Sequence, residues 1–178
     1  ENKMTVRKIY AGDTIFDVKG SGYSPEGKFE VNGREIRPEN YESLKLALRI
    51  GALCNNAKIV RESGIKPGVL KKIKSAVTGQ ELWRISGDPT EGALLVAAAK
   101  AGMTEEQLNE MYLRIDELPF DSDRKCMSVI CDNRRGELYV FTKGAPDVII
   151  KKCSKIYNSA GITSMSPKEK ARILRTND

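Results

Sequence analysis

Apolar and polar residues alternate at the start of the chain, from Met4 to Tyr10 and again from Thr14 to Val18, with Ala11-Gly12-Asp13 between them. A period of two predicts strands with one buried face. Phe29 to Ile36 repeats the pattern around Asn32-Gly33, the residue pair of two-residue hairpin turns, because both residues tolerate positive φ. The glycine- and serine-rich stretch GSGYSPEG before it reads as a loop. After Pro38-Glu-Asn the period changes. Leu44, Ala47, Leu48 and Gly51 fall on one face of a helix expected over Tyr41 to Leu53, ended by Ala52-Leu-Cys-Asn-Asn. Residues 57–81, broken by Gly64, Pro67-Gly68 and Gly79, predict an irregular insertion with one basic helical turn.

In the second half the punctuation is sharper. Gly-Asp-Pro-Thr-Glu places Asp88 at an N-cap, Pro89 at the first helical position and Glu91 three residues after the cap, a capping-box arrangement. The helix should run to Ala101 and stop at Gly102. Thr104 caps a second helix, Glu105 to Tyr112. Strands follow over Arg114–Leu118, Lys125–Asp132 and Glu137–Lys143, the last two joined by Asn133-Arg-Arg-Gly. Pro146 to Cys153 is helical, and Ser166-Pro-Lys-Glu-Lys opens a final helix. The expected class is α+β: a mainly antiparallel sheet with helices paired between strand groups.

Composition narrows the chemistry. The 178 residues carry a net charge of +6, from 30 basic and 24 acidic side chains. That excess sits in short lysine clusters (Lys71, Lys72, Lys74; Lys151, Lys152, Lys155) that read as solvated helix faces, with no RNA- or zinc-finger pattern interleaved. The expectation is no nucleic-acid partner. There is no histidine, and the four cysteines form no CxxC pair, which argues against a zinc site and an imidazole base. No apolar run reaches the length needed to span a bilayer, and the chain itself should be soluble.

Three places carry candidate chemistry. Glu91 heads the stripe Leu94, Leu95, Ala98, so its carboxylate would sit at the rim of the core, either as a helix cap or as an acceptor for a ligand amine. Phe120 follows Pro119 outside the strand ladder in a charged neighbourhood, where one ring face can stay open for stacking. Lys125 and Lys143 would lie opposite each other if the hairpin loop spans Asp132 to Gly136, with Val129–Tyr139 and Met127–Phe141 as neighbouring pairs. Two facing lysines repel unless an anion lies between them. An aromatic platform, two cations and one acceptor suit a purine nucleotide, although no P-loop motif occurs.

Taken in order, GDPTEGALL, PFDSDRKCMSV and FTKGAPDVI, together with ALCNNA and the N-terminal ENKMTV, resemble the nucleotide-binding domain of type II P-type ATPases, nearest to bacterial calcium pumps. The resemblance covers nearly the whole chain. It implies a single nucleotide-binding domain over 1–178, with 1–6 a hinge stub of the phosphorylation domain and a C-terminal return strand missing. It implies ATP, as Mg-ATP, for the ligand. Phe120 would stack on adenine, Glu91 contact it, Lys125 lie near the phosphates, Lys143 floor the pocket, Gly144 allow close approach, and Thr90 and Met127 line it. No catalytic residue or metal ligand lies in the chain, since the phosphorylated aspartate belongs to a separate domain. Implied partners are the phosphorylation and actuator domains of the parent, on the cytoplasmic face of a bacterial membrane, with the fragment monomeric. One departure is Ser122, where animal calcium pumps often carry an arginine. The competing expectation is a basic RNA- or protein-binding module. A self-contained kinase is disfavoured by the lack of metal-binding carboxylates near the lysines.

Overall fold

The computed structural model describes residues 3–61 and 83–176. Among them the fold is α+β, as expected, and every strand pairing is antiparallel, but the strands divide into four separate ladders rather than one sheet. The first is a meander of β1 (Lys8–Ala11), β2 (Thr14–Lys19), β3 (Lys28–Val31) and β4 (Arg34–Ile36). Its two tight turns place both central residues at positive φ, Gly12 (57°) with Asp13 (64°) and Asn32 (51°) with Gly33 (76°). These are the turn conformations whose twist matches the flanking strands. β1 is shorter than the alternation from Met4 suggests, because its ladder with β2 begins at Lys8↔Asp17.

The meander lies on two helices. Helix α1 (Glu42–Leu53) and helix α2 (Pro89–Lys100) pack together, and Phe16, Val18 and Phe29 meet Leu44, Leu48, Ala97 and Ala98 in one core. The predicted face of α1 is the buried one, with Ala47 half-buried. α2 ends as its sequence implies: Gly102 N–H donates to Ala99 and Met103 N–H to Ala98, the paired bonds of a left-handed C-terminal cap. α3 (Glu105–Met111) starts at Thr104 with a complete capping box to Gln107.

The expected insertion at 57–81 lies mostly outside the described residues. Its first part is β5 (Lys58–Arg61), paired with β6 (Trp83–Ser86), neither of which the pattern predicts. A second unpredicted hairpin, β10 (Lys155–Asn158) with β11 (Gly161–Ser164), separates α4 (Pro146–Lys152) from α5 (Pro167–Thr176). Arg172 on α5 donates to Asp13 at 2.5 Å and ties this end of the chain to the β1–β2 turn. The Arg172 guanidinium, then the Tyr10 hydroxyl, hold the Asp13 carboxyl below its ordinary range.

The third ladder positions the candidate residues. β8 (Cys126–Asp132) lies between β7 (Leu113–Asp121) and β9 (Leu138–Gly144). Met127, Val129, Cys131 and Phe141 form a second core with Cys54 and Tyr112 against the end of α1. The β8–β9 register differs from the expected one. Asp132 pairs with Leu138, Val129 with Phe141 and Met127 with Lys143, so Lys125 and Lys143 are not opposite each other. The loop still has five residues but starts one later, because the Asp132 and Asn133 side chains build it. Asp132 accepts from Arg134 N–H and Gly136 N–H, and Asn133 from Arg135 N–H and Glu137 N–H. Lys143 faces Met127, not Lys125, across the ladder, so no repelling lysine pair stands there.

Candidate functional site

The start of α2 is held from three sides. Asp88 Oδ1 accepts from Thr90 N–H at 2.8 Å and Glu91 N–H at 3.0 Å. These bonds, that of Glu91 first, keep the Asp88 carboxyl below the usual carboxylate range. Pro89 occupies the first helical position. Gly92 lies flat against β6, since a Cβ there would come within 2.4 Å of the Ile85 side chain. This close approach fixes where Glu91 leaves the helix.

Glu91 does not complete the capping box its spacing suggests. Its carboxylate turns away from Asp88: Oε2 accepts from Asn56 N–H at 2.9 Å, and Oε1 from Lys143 Nζ at 2.6 Å. The lysine offers a charge-assisted bond, stronger than the neutral amide of the cap. Both partners of this ion pair are mostly covered. Asn55, buried, braces the joint. Its amide donates to Gly51 O and Glu91 O, and its Oδ1 accepts from Ala57 N–H, so α1 and α2 are pinned to one another.

Phe120 sits on a bulge. Leu118 pairs with Ser128 and Asp121 with Cys126, leaving Pro119 and Phe120 together opposite Met127. Two residues against one is the signature of a β-bulge, and bulges re-aim side chains. Proline in the gap suits it, since no ladder donor is required there. Phe120 is 66% exposed, with its ring open to solvent as the sequence expectation requires.

The strand after the bulge turns at Asp121 to Lys125, whose N–H donates to Asp121 O at 2.7 Å. Lys125 is exposed and takes a left-handed conformation (φ 51°) at the end of this turn. Its carbonyl accepts from Ala145 N–H, which brings Lys125 beside Gly144 and next to Lys143. Gly144 has a structural reason to be glycine: a Cβ would lie 2.4 Å from the Lys125 carbonyl oxygen. The close approach it permits is between strands. Thr90 is exposed beside Glu91. Met127 is only 2% exposed and supports Lys143 from within the second core rather than offering surface.

Glu91 and Lys143 are thus in contact, and one β8 position, Met127, faces both Phe120's bulge and Lys143. Lys125 stands at the same end of the sheet. Sequence reasoning missed Asn55, Asn56 and Arg114. Arg114 on β7 donates to Asn55 O at 2.9 Å and to Asn56 Oδ1 at 2.8 Å, and also pairs with Glu117. The only available signal was two adjacent asparagines at a helix end. A cavity of about 490 Å³ between α3 and the β5–β6 hairpin shares Asn55, Asn56 and Arg114 but is lined by none of Glu91, Phe120, Lys125 or Lys143. Glu91, Phe120, Lys125 and Lys143 thus lie outside that cavity. Among the described residues no group of three or more cysteine, aspartate or glutamate side chains is arranged to hold a metal ion.

A sequence profile of the P-type ATPase cytoplasmic domain N matches residues 43–178. The chain belongs to that family. It is 39% identical over 96% of its length to a calcium-transporting ATPase of Bacillus subtilis, and 34% identical over 88% to the cation-transporting ATPase pma1 of Synechocystis. A calcium-transporting ATPase type 2C member 1 of Bos taurus matches 92% of the chain at 33% identity. The chain spans 17% of the length of the first of these proteins and 16% of the second. No helix among the described residues is long and apolar enough to cross a membrane.

Proposed function

We propose that this N domain binds ATP at the surface formed by Phe120, Glu91, Lys143 and Lys125. The observation that carries the reading is the Glu91–Lys143 contact together with the exposed Phe120, whose bulge lies opposite Met127, the strand partner of Lys143. A carboxylate oxygen has two lone pairs, so Oε1 can keep Lys143 and still accept from the adenine amine. Phe120 offers a face for the ring, Lys125 stands exposed for phosphate oxygens, and Thr90 and Gly144 border the site, with Met127 beneath it. Stacking on one aromatic is worth ~1–3 kcal/mol, so affinity should be modest. Magnesium enters as part of the substrate, bound through phosphate oxygens and groups beyond this chain.

In the parent protein the domain would carry the γ-phosphate to an aspartate in the phosphorylation domain, with the actuator domain as a further partner. Its own contribution is placement of the nucleotide, not bond breaking. The relatives' names support a cation, and specifically calcium, as the transported ion. The family's description as a cytoplasmic domain supports the cytoplasmic side of a membrane, and the bacterial relatives support a bacterial one.

Titration of the 178-residue chain with ATP, followed by amide and side-chain NMR, should shift Glu91, Phe120, Lys125 and Lys143 together. Phe120→Ala should remove the response without changing the melting temperature, and no steady-state hydrolysis should appear. A polyanion-binding module would instead show a steep salt dependence and indifference to Phe120. That outcome, or turnover by the isolated chain, overturns the proposal.

A further inference from the structure

We propose that Arg114 is a positioning residue for the Glu91 carboxylate and, through it, sets the preference for adenine. The inference rests on the nucleotide reading of the Glu91 site. Four elements meet in one chain of bonds. Arg114 on β7 grips the segment after α1 twice, at the Asn55 carbonyl and the Asn56 side chain. Asn56 N–H then holds Glu91 Oε2 on α2, and Glu91 Oε1 holds Lys143 on β9. The last torsion of a glutamate side chain is broad and roughly two-fold, so the carboxylate plane is set by its partners. Here one partner, Lys143, is a flexible ammonium. The other is a backbone amide, and its direction is only as firm as the Asn55–Asn56 segment.

That segment needs an external grip. Asn55 is buried and fully bonded, but Asn56 is exposed, and its side chain bonds to Arg114. A guanidinium can donate to a carbonyl and an amide oxygen at once in a fixed plane, which an ammonium cannot reproduce. Glu117, paired with Arg114, holds the guanidinium from its own strand. β7 therefore carries two groups for one site: Phe120 at its far end for the ring, and Arg114 near its start to aim the acceptor for the ring's amine.

The test compares ATP with inosine triphosphate, which lacks the amine, in the 178-residue chain by isothermal titration. The unmodified chain should prefer ATP. Arg114→Ala should weaken ATP by roughly tenfold, about one hydrogen bond's worth, and leave inosine triphosphate nearly unchanged. Arg114→Lys should recover only part of the preference. Asn56→Ala, which keeps the amide but removes the gripped side chain, should resemble Arg114→Ala, and the double variant should be no worse than either single one. Equal losses for both nucleotides, or no loss for either, overturn the role of Arg114.

A second readout uses no nucleotide. The Asn56 amide proton, bonded to a carboxylate, should move upfield and exchange faster in Arg114→Ala. An unmoved Asn56 amide defeats the positioning role even if ATP binds well. Conversely, a displaced amide in a chain that discriminates between neither nucleotide defeats the adenine assignment of Glu91 and leaves the Arg114–Asn56–Glu91 linkage standing.

Discussion

In the β1–β4 meander, Phe16, Val18 and Phe29 point into one core and each ladder runs without interruption. β7, by contrast, breaks register twice in nine residues, once between Arg114 and Asp116 and once between Leu118 and Asp121. Its sheet buries one face on Cys54 and Tyr112 and leaves Leu118, Leu138 and Val140 exposed on β7 and β9. Both bulges fall beside groups of the candidate site, Arg114 at one and Phe120 at the other. The meander shows what a strand does when packing alone sets its residues. In β7 regular pairing is interrupted beside Arg114 and at Phe120, while the central strand β8 keeps an unbroken pairing with β9.

The contrast is most sharply tested in its cores. Phe16→Ala should lower the unfolding free energy by ~3–5 kcal/mol, since it empties a fully buried aromatic site. Phe120→Ala should leave that free energy within ~0.5 kcal/mol, as an exposed side chain does. Denaturant titration of both variants reads the difference. A loss at Phe16 below ~1 kcal/mol would mean the meander is not what stabilises the α1–α2 scaffold.

A smaller effect uses one substitution twice. Val18→Thr puts a hydroxyl among Phe16, Phe29 and Leu44 with no partner in view, which should cost ~1–3 kcal/mol. Val140→Thr makes the same change on the open face of β9, which is 63% exposed, and should stay within ~0.5 kcal/mol. Comparable losses at the two positions, in the same denaturation assay, would show that the outer face of β7–β9 is less open than its exposure indicates.

The same contrast explains what could be read from the sequence. The meander was legible because local chemistry decides it: Asn32-Gly33 allows little but a tight turn, and alternation assigns the faces. The helices α2 and α3 were legible from Asp88, Gly102 and Thr104 for the same reason. The β8–β9 register was not, because moving a five-residue loop by one residue keeps every side chain on its predicted face while changing its partner. Apolar alternation is blind to that shift. Phe120's exposure followed from Pro119, a local signal, but the Glu91–Lys143 contact joins residues 52 positions apart. Arg114 was invisible because what ties it to Glu91 is one backbone carbonyl and the Asn56 side chain, 58 positions away, and no spacing marks them. The hairpins β5–β6 and β10–β11 are four-residue strands, too short for a period to establish itself.

The smallest expected effect concerns the joint between the two regions, where α2 begins. Asp88 has a folded pKa below its ordinary value because its carboxylate accepts from Glu91 N–H and Thr90 N–H. A depressed pKa means the charged form is the one favoured by folding. Its contribution is therefore complete above the unfolded value of about 3.9 and is lost as pH falls through the lower folded value. Asp88→Asn keeps an oxygen that can accept the same bonds but cannot titrate, and asparagine caps helices as well as aspartate does. The Thr90 and Glu91 amide shifts should therefore show an acid-range step in the unmodified chain that is reduced in Asp88→Asn. The Gln107 amide, capped by the hydroxyl of Thr104, supplies the internal control. An identical step in both proteins would show that these two amides do not report the Asp88 carboxyl, and the cap would lose its part in the acid response.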